Sequence, residues 1–336
     1  MSEKSLLITG GTGSFGKEFV NYLLEKRRDI GRIVIFSRDE LKQWEMQQRY
    51  LNHSRFKTLR FFIGDVRDAI RLEQAFENID YVVHAAALKQ VHTAEYNPME
   101  FIKTNIIGAE NVINASIKNN VKKVVALSTD KAAAPINLYG ASKLCSDKLF
   151  LAANNITGSR DLAFSVVRYG NVMGSRGSVI PFFLEKAKSG VISITHKDMT
   201  RFNITLREGV EFVNLALDQS YGGELYVPKL KSYRIMDLVK AIAPNCQYDF
   251  CGIRPGEKIH EEMITCTDSR STIDCGKYFL VLNSQKILDK YQKLDPSYTK
   301  VLENFNYSSG NNEEFLTIQE IRDLIKKNID PNFVPS

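Results

Sequence analysis

The sequence contains few cysteines, and their spacing fits neither a metal site nor a disulfide framework. Five cysteines, an odd number, are spread over 336 residues, and no two of them form a Cys-x-x-Cys pair. This distribution argues against a structural zinc site and favours a reducing compartment. We therefore expect a protein that holds no metal ion.

Long apolar runs and clusters of like charge are also lacking. The first apolar run, Leu6–Thr9, is interrupted at once by glycines and is too short for a signal peptide or a membrane span. The 45 Lys and Arg residues outnumber the 39 Asp and Glu residues, but the excess of +6 is spread along the chain without a basic run. We expect a cytoplasmic protein that binds neither membranes nor nucleic acid.

The first half of the chain instead alternates short apolar runs with longer helical patterns. The runs are rich in Val, Ile and Phe and show little polar alternation, as strands do when both faces of a parallel sheet are buried. This alternation predicts an α/β fold with a Rossmann-like, doubly wound parallel sheet. The six predicted strands are Leu6–Thr9, Arg32–Ser37, Leu59–Gly64, Tyr81–Ala86, Lys123–Ser128 and Phe164–Tyr169.

The strand–helix rhythm breaks after Asn171, which predicts two domains. Residues 1–171 form the expected Rossmann domain, and residues 203–228 carry a further helix and strand pattern that rejoins it. Residues 172–202 and 229–336 are expected to form a smaller C-terminal α/β substrate-binding domain and a tail.

A glycine-rich turn between the first strand and the first helix is typical of a dinucleotide site. Gly10, Gly13 and Gly16 have the spacing Gly-x-x-Gly-x-x-Gly. Glycines permit the tight turn and let the backbone approach a pyrophosphate at the helix N-terminus. Any tight turn favours glycine, so the prediction depends on the strand–turn–helix context. The expected cofactor contacts are Gly10, Thr12, Gly13, Ser14, Phe15 and Gly16.

The second predicted strand ends in hydroxyl and basic side chains. Ser37 stands where NAD enzymes usually place an acidic residue for the ribose 2′-hydroxyl, and Arg38 and Lys42 follow. Guanidinium and hydroxyl donors suit a 2′-phosphate, so the sequence favours NADP over NAD. Asp39 competes for the ribose role, and an ordinary charged helix start is the alternative interpretation.

Two further strand ends supply candidate cofactor contacts. Asp65 and Val66 follow the third strand, where the carboxylate can accept from the adenine amino group, although Asp is also a common turn residue. Ala86 lies in a run of small side chains that leaves room for the cofactor. His84 has no partner at metal-ligand or triad spacing, so we expect it to be structural.

Two acid/base pairs accompany the fifth predicted strand. Tyr139 and Lys143 are spaced Tyr-x-x-x-Lys, which places the phenol and the ammonium on one helix face. A nearby cation favours the phenolate, so Tyr139 is a candidate base near neutral pH. Thr129 precedes a second pair, Asp130 and Lys131. Each pair alone is typical of a solvated surface, but both on a sheet with a dinucleotide loop predict oxidation followed by another proton transfer.

These motifs resemble the extended short-chain dehydrogenase/reductases over nearly the whole chain and, within them, the inverting UDP-N-acetylglucosamine 4,6-dehydratases of bacterial pseudaminic acid synthesis. The Thr-Asp-Lys sequence is the specific feature, because retaining 4,6-dehydratases typically carry Thr-Asp-Glu and 4-epimerases lack the pair. The segments that carry the resemblance are Ile8–Gly16, Ser37–Lys42, Phe62–Asp68, Ala94–Pro98, Ser128–Lys131, Arg168–Val172, Gly174–Ser178 and Met199–Phe202.

The resemblance implies an NADP-dependent lyase acting on UDP-N-acetylglucosamine. Tyr139, supported by Lys143 and Thr129, would take the proton of the 4-hydroxyl during oxidation at carbon 4. Lys131 would take the carbon 5 proton, which requires a neutral amine with a lowered pKa, and Asp130 would help the 6-hydroxyl leave. Hydride return to carbon 6 and reprotonation from the opposite face would give UDP-2-acetamido-2,6-dideoxy-beta-L-arabino-hex-4-ulose.

The resemblance also implies substrate contacts and an assembly. Arg201 and Arg254 would pair with the diphosphate, and Glu257 would accept from the nucleotide ribose. A homo-oligomer, expected as a hexamer, and a role in flagellin glycosylation follow from the same resemblance. The residues expected to line the sugar site are Lys89, Thr104, Asn105 and Asn171.

Three alternatives share part of this pattern. Capsule-type UDP-sugar 4,6-dehydratase/epimerases share most of it, and Gln90 and His92 stand where the family has His and Pro. A nucleotide-sugar epimerase would leave Asp130 and Lys131 unused. A non-catalytic NADP-binding regulator would typically lack the Tyr/Lys pair.

Overall fold

The structure is a computed structural model that describes residues 3–175, 178–188, 190–282 and 284–336. Three 3-10 turns, Phe56–Thr58, Asp130–Ala132 and Ser269–Ser271, and a π-helical segment, Ile102–Ile107, accompany the regular elements. The strands are β1 (Lys4–Thr9), β2 (Ile30–Ser37), β3 (Leu59–Ile63), β4 (Tyr81–His84), β5 (Lys123–Thr129), β6 (Ala163–Tyr169), β7 (Asn171–Val172), β8 (Val191–Ile194), β9 (Thr200–Ile204), β10 (Glu224–Pro228), β11 (Ser232–Arg234), β12 (Gln247–Phe250), β13 (Glu262–Ile264), β14 (Thr272–Asp274), β15 (Tyr278–Leu282), β16 (Thr299–Lys300) and β17 (Tyr307–Ser308). The α-helices are α1 (Ser14–Lys26), α2 (Glu40–Tyr50), α3 (Ala69–Ala75), α4 (Val91–Tyr96), α5 (Pro98–Phe101), α6 (Gly108–Lys118), α7 (Leu138–Ala153), α8 (Val179–Ala187), α9 (Leu206–Gln219), α10 (Ile235–Ile242), α11 (Gln285–Leu294) and α12 (Ile318–Asn328).

The central sheet has ten strands in the order β16-β14-β15-β10-β6-β5-β4-β1-β2-β3. The seven strands from β10 to β3 run parallel. Strands β15, β14 and β16 extend the sheet in antiparallel fashion. The order β3-β2-β1-β4-β5-β6 is that of a doubly wound dinucleotide-binding fold. The predicted fold class is therefore confirmed.

Burial explains why the predicted strands were readable as continuous apolar runs. Leu6 and Ile8 of β1 pack with Phe19 of α1 on one face of the sheet, whereas Leu7 packs with Phe76 on the other. Because successive side chains point to opposite faces, a strand covered on both sides must be apolar throughout. All six predicted strands are present, with ends that differ by at most two residues.

The segment after Asn171 contributes both to this sheet and to a separate apolar cluster. Helix α9 is followed by β10, which pairs in parallel with β6. Strands β14 to β16 join the same sheet from the region predicted to bind substrate, and the domain boundaries stay a prediction. A smaller core forms around α8, α10 and α12, with Phe183, Leu238 and Ile321 buried in it.

No helix in the described residues is long and apolar enough to cross a membrane.

Candidate active site

A cleft of about 1150 Å³ opens at the carboxyl ends of the parallel strands. This edge is where doubly wound sheets bind ligands, because the loops that follow the strands converge there. Segments 178–183 and 254–257 contribute to its other wall. The predicted site residues that line it are Gly10, Thr12, Gly13, Ser14, Phe15, Gly16, Ser37, Arg38, Lys42, Asp65, Val66, Ala86, Lys89, Thr104, Thr129, Asp130, Lys131, Tyr139, Lys143, Asn171, Arg201, Arg254 and Glu257.

The glycine-rich turn is packed too tightly for larger residues. Gly10 has a φ of +67°, and a Cβ there would lie 2.9 Å from the Ala86 backbone. A Cβ on Gly16 would lie 2.4 Å from the Gly11 carbonyl oxygen. Gly13 precedes α1 without a side-chain cap, so the first N–H groups of this helix are not satisfied by a capping side chain. Free N–H groups at a helix start suit a pyrophosphate.

Gly16→Ala should destabilise the protein, because the added methyl overlaps backbone atoms that no side-chain rotation can move. We expect the free energy of unfolding to fall by about 1–3 kcal/mol, measured by denaturant unfolding. Gly209→Ala is the matched control: its Cβ would meet only the end of the Ile204 side chain at 3.9 Å. In a helix interior that change should stabilise by up to about 1 kcal/mol. Equal effects of the two substitutions would contradict the tight packing at Gly16.

The end of β2 forms a polar pocket whose wall carries both basic and acidic side chains. The Ser37 hydroxyl and carbonyl accept from the Gln43 amide, each at 3.0 Å. Arg38 is 53% exposed and lies 3.5 Å from Asp65. Asp39 caps α2 by accepting from the Lys42 backbone N–H at 3.0 Å, and it also pairs with the Lys42 ammonium. Arg38 and Asp39 therefore both line the cleft, Arg38 beside Asp65 and Asp39 beside Lys42.

The ends of β3 and β4 carry two titratable side chains, Asp65 and His84, that already have hydrogen-bond partners within the protein. Asp65 receives hydrogen bonds from the Arg67 guanidinium at 2.7 and 3.0 Å. Burial raises the pKa of Asp65, but Arg67 outweighs it and the net pKa is lowered. His84 is buried and bonded to the Thr9 hydroxyl at 2.8 Å. Desolvation lowers the pKa of His84 to about 3, so it is neutral, in agreement with its predicted structural role.

Lys131 lies between two buried carboxyl groups at the end of β5. Its Nζ is 3.1 Å from Asp130 Oδ1 and 3.1 Å from Glu261 Oε1. The Thr129 hydroxyl donates to the same Asp130 oxygen at 2.8 Å. The Arg201 guanidinium lies 3.7 Å from Glu261. The site therefore holds two cations against two acidic side chains, with both carboxyl groups buried and the Lys131 side chain 23% exposed at the cleft.

This charge arrangement corrects the expectation that Lys131 has a lowered pKa. Desolvation does lower it, but attraction to Asp130 and Glu261 outweighs burial, and the net pKa of Lys131 is raised. Burial raises the pKa of Asp130. The pKa of Glu261 is lowered, because Lys131 and Arg201 outweigh the burial of its carboxyl group. In the protein alone, Lys131 is therefore an ammonium ion.

Tyr139 and Lys143 share one face of α7 and are both buried in the cleft wall. Burial raises the pKa of Tyr139 to about 12, although Lys131 and a hydrogen bond with Thr129 act to lower it. Tyr139 is thus a neutral phenol in the protein alone, which differs from the predicted readiness as a base. Desolvation lowers the pKa of Lys143, with Asp147 opposing this effect.

Several buried polar atoms at the cleft have no hydrogen-bond partner among the described residues. Buried polar groups in proteins are almost always bonded, so such atoms indicate a site for a polar ligand. Their convergence on one cleft suits a molecule with many hydroxyl groups. They are Thr104 Oγ1, Asp130 Oδ2, Asn171 Oδ1, Ser178 Oγ and Glu261 Oε2.

Two substrate-site predictions meet other contacts. Asn105 does not line the cleft: its amide bonds the Leu88 carbonyl and the Ser142 hydroxyl, each at 2.9 Å, and its oxygen accepts from the Leu88 N–H. Its predicted place in the sugar site is corrected, because these contacts tie it to the loop after β4. Arg201 lines the cleft but also donates to the carbonyls of Thr200, Lys258 and Ile259. Of the predicted segment Gly174–Ser178, residues 176 and 177 lie outside the described residues.

Two residues important to the geometry were missed by the motif analysis. Glu261 escaped notice because it lies far from Lys131 in sequence. Gly140 lets α7 approach the turn that carries Asp130 and Lys131, since a Cβ there would lie 2.2 Å from the Lys131 carbonyl oxygen. Its position next to Tyr139 was the available signal. Within the described residues, no cluster of three or more His, Cys, Asp or Glu side chains could hold a metal ion.

Comparison with known proteins agrees with this architecture. Residues 6–283 match the family described as polysaccharide biosynthesis protein. The chain is 50% identical over 329 residues to a UDP-N-acetylglucosamine 4,6-dehydratase (inverting) of Campylobacter jejuni subsp. jejuni, covering 96% of this chain and 97% of that protein. It is 40% identical to a UDP-glucose 4-epimerase of Rickettsia canadensis, covering 96% and 95% of the two chains.

A solved structure shows the same fold over nearly the whole length. The structure of Pen from Bacillus thuringiensis matches with a TM-score of 0.86 and 35% sequence identity, covering 97% of this chain and 98% of that one. The family match spans most of the chain, and the relatives are covered almost completely. The chain therefore belongs to the polysaccharide biosynthesis protein family, within the extended short-chain dehydrogenase/reductases that its motifs predicted.

Proposed function

We propose that this protein is an inverting UDP-N-acetylglucosamine 4,6-dehydratase that uses NADP. The observation that carries the proposal is the second acid/base pair: Asp130 and Lys131 line the same cleft as Tyr139 and Lys143. Oxidation of an alcohol needs only one such pair, whereas removal of water needs a base for carbon 5 and an acid for the leaving hydroxyl. The relative of the same activity, 50% identical over almost the full length, supports this conclusion.

The cleft residues suit a nicotinamide dinucleotide. The tight turn from Gly10 to Gly16 and the uncapped start of α1 would hold the pyrophosphate. Ser37, Arg38 and Lys42 would hold the adenosine ribose and its 2′-phosphate. The nicotinamide, when bound, supplies hydride acceptance from carbon 4 and hydride return to carbon 6.

The protein's own groups move the protons. Tyr139 takes the proton of the 4-hydroxyl in its phenolate form, a small fraction at neutral pH because burial raises the pKa of the phenol to about 12. The resulting ketone acidifies the hydrogen on carbon 5. Lys131 takes that hydrogen as a proton, and Asp130 gives a proton to the 6-hydroxyl, which leaves as water. After hydride return to carbon 6, a proton adds to carbon 5 from the opposite face and completes the product. Transfer of one proton from Lys131 to Asp130, 3.1 Å away, creates the amine and the acid together. The burial that raises the pKa of Asp130 favours this transfer, whereas the attraction of Asp130 and Glu261 for the ammonium group, which raises the pKa of Lys131, opposes it.

Arg38→Ala should separate the two possible cofactors. A lost hydrogen bond to a charged phosphate weakens NADP binding by roughly tenfold to a hundredfold, while NAD binding should change little. Titration of each cofactor by calorimetry would measure this, with exposed Arg28→Ala as the control. Equal losses for NADP and NAD would contradict the 2′-phosphate assignment.

Proton NMR of the reaction in deuterated water would test the whole proposal. With UDP-N-acetylglucosamine, we expect a carbon 6 methyl signal, deuterium at carbon 5 and L-arabino couplings. The epimerase relative makes a nucleotide-sugar 4-epimerase the second candidate, which would leave the carbon 6 methylene intact and alter the ring couplings. No change would favour a non-catalytic NADP-binding protein or another nucleotide sugar.

The wider setting also belongs to this proposal. Entry of the product into pseudaminic acid synthesis and flagellin glycosylation and assembly as a homohexamer rest on the family resemblance. A cytoplasmic location rests on the cysteine distribution and on the shortness of the apolar runs. Light scattering of the purified protein would determine its assembly.

A further inference from the structure

Glu261 is a buried acid that the dehydration mechanism above does not use. It immediately precedes β13, and its side chain is 3% exposed. Its backbone is fixed on both sides of the peptide by Ser309: the Glu261 N–H donates to Ser309 Oγ at 2.9 Å, and the Ser309 N–H donates to the Glu261 carbonyl at 2.8 Å. These two hydrogen bonds fix the Glu261 backbone from which the carboxyl group extends.

The Glu261 carboxyl group completes the surroundings of Lys131. Glu261 Oε1 lies 3.1 Å from Lys131 Nζ, and Asp130 Oδ1 lies at the same distance from that nitrogen. The other Glu261 carboxyl oxygen is buried without a hydrogen-bond partner among the described residues. Burying a carboxyl group with an unused oxygen is costly, so the position is poorly explained by stability alone.

We propose that Glu261 is a positioning residue for Lys131, which fixes the amine beside the sugar and sets the pH range in which the Lys131–Asp130 pair works. This inference rests on the proposed dehydration. The pair must share a single proton, so that Lys131 is an amine when Asp130 is an acid. Activity falls at low pH, where the pair gains a second proton, and at high pH, where it loses its only proton. These two apparent pKa values describe the pair and not either residue alone.

A neighbouring negative charge raises both limits, because it favours proton binding by each member of the pair. Removing that charge should move the whole bell-shaped profile to lower pH. The positive charge of Arg201 acts in the opposite direction to Glu261, because it lowers the pKa of Lys131. Other charged groups around the pair also affect its titration. The titratable and charged groups that face this cluster are Asp130, Lys131, Tyr139, Arg201, Tyr233, Glu257 and Lys258.

Glu261→Gln keeps the size of the side chain and removes its charge. We expect the profile of kcat/KM for dehydration to move to lower pH by about one to three units. Glu261→Asp keeps the charge but shortens the reach, so its profile should stay in place while kcat falls. Glu262→Gln is the matched control, since that partly exposed acid accepts from Asn306 instead, and its profile should equal that of the wild type. A Glu261→Gln profile that coincides with the wild type would overturn the proposal.

A second measurement does not require turnover. Acetic anhydride reacts with a lysine side chain only in its neutral amine form, so the rate at which Lys131 is acetylated, read by peptide mass spectrometry, reports its amine fraction. Exposed Lys148 serves as the internal reference. Lys131 should react faster at neutral pH in Glu261→Gln than in the wild type, and an unchanged rate would refute the role of Glu261 even in an inactive variant. A wild-type protein that forms no 6-deoxy product would instead refute the proposed function, while the acetylation result would still judge Glu261.

Discussion

Lys131→Ala should lose water elimination by about 10²–10⁴-fold, the usual contribution of a positioned base. Without the amine, nothing at this position takes the proton from carbon 5. Oxidation at carbon 4 depends on Tyr139 and should continue slowly, so reduced cofactor should accumulate. Cofactor absorbance would follow the oxidation, and proton NMR would follow the carbon 6 methyl group. Full methyl formation in this variant would remove Lys131 from the role of base.

Lys131→Arg separates the charge of Lys131 from its basicity. Arginine can still face Asp130 and Glu261, but it does not give up its proton at any working pH. We expect Lys131→Arg to retain the fold and still fail to form the methyl group. Lys118→Ala, which removes an exposed lysine paired with Glu73, should behave like the wild type. Normal dehydration by Lys131→Arg would show that the reaction needs a positive charge at this position and does not need a base there.

The features predicted correctly from the sequence are those encoded over short stretches. The strands were visible because Leu6, Leu7 and Ile8 are buried on both faces of the sheet. The glycine turn and the Thr129–Lys131 motif each lie within a few residues of a strand end. Since parallel strands end at one edge, local motifs at several strand ends must meet there.

The features that were not predicted depend on contacts between distant segments. The predicted sign of the pKa shift of Lys131 was wrong, because Glu261, which immediately precedes β13, approaches from a segment much later in the chain. Asn105 was placed in the sugar site, yet its amide faces Leu88 and Ser142. Residue type and spacing do not determine which way such a side chain points or which charge lies opposite. Predicting the charges around Lys131 therefore required the fold, whereas predicting that the motifs meet at one edge of the sheet did not.

Tyr139→Phe should abolish oxidation, with a loss of about 10²–10⁴-fold, because phenylalanine cannot take the proton of the 4-hydroxyl. The variant keeps the ring and its packing, so the affinity for the UDP-sugar should change little by calorimetry. Tyr96→Phe is the control, since that tyrosine is 88% exposed. Normal turnover by Tyr139→Phe would exclude Tyr139 from the mechanism.

The raised pKa of Tyr139 also predicts how the rate of oxidation depends on pH. Burial raises the pKa to about 12, so the phenolate is a small fraction at neutral pH and rises about tenfold for each pH unit. Single-turnover oxidation by the wild type should therefore accelerate with pH, and Tyr139→Phe should lose this dependence. The two active-site variants should also differ in kind: Lys131→Ala accumulates reduced cofactor without a methyl group, whereas Tyr139→Phe yields neither. If Tyr139→Phe accumulated reduced cofactor instead, the proton transfer that accompanies oxidation would have to belong to another group, and the order of the two acid/base pairs would be reversed.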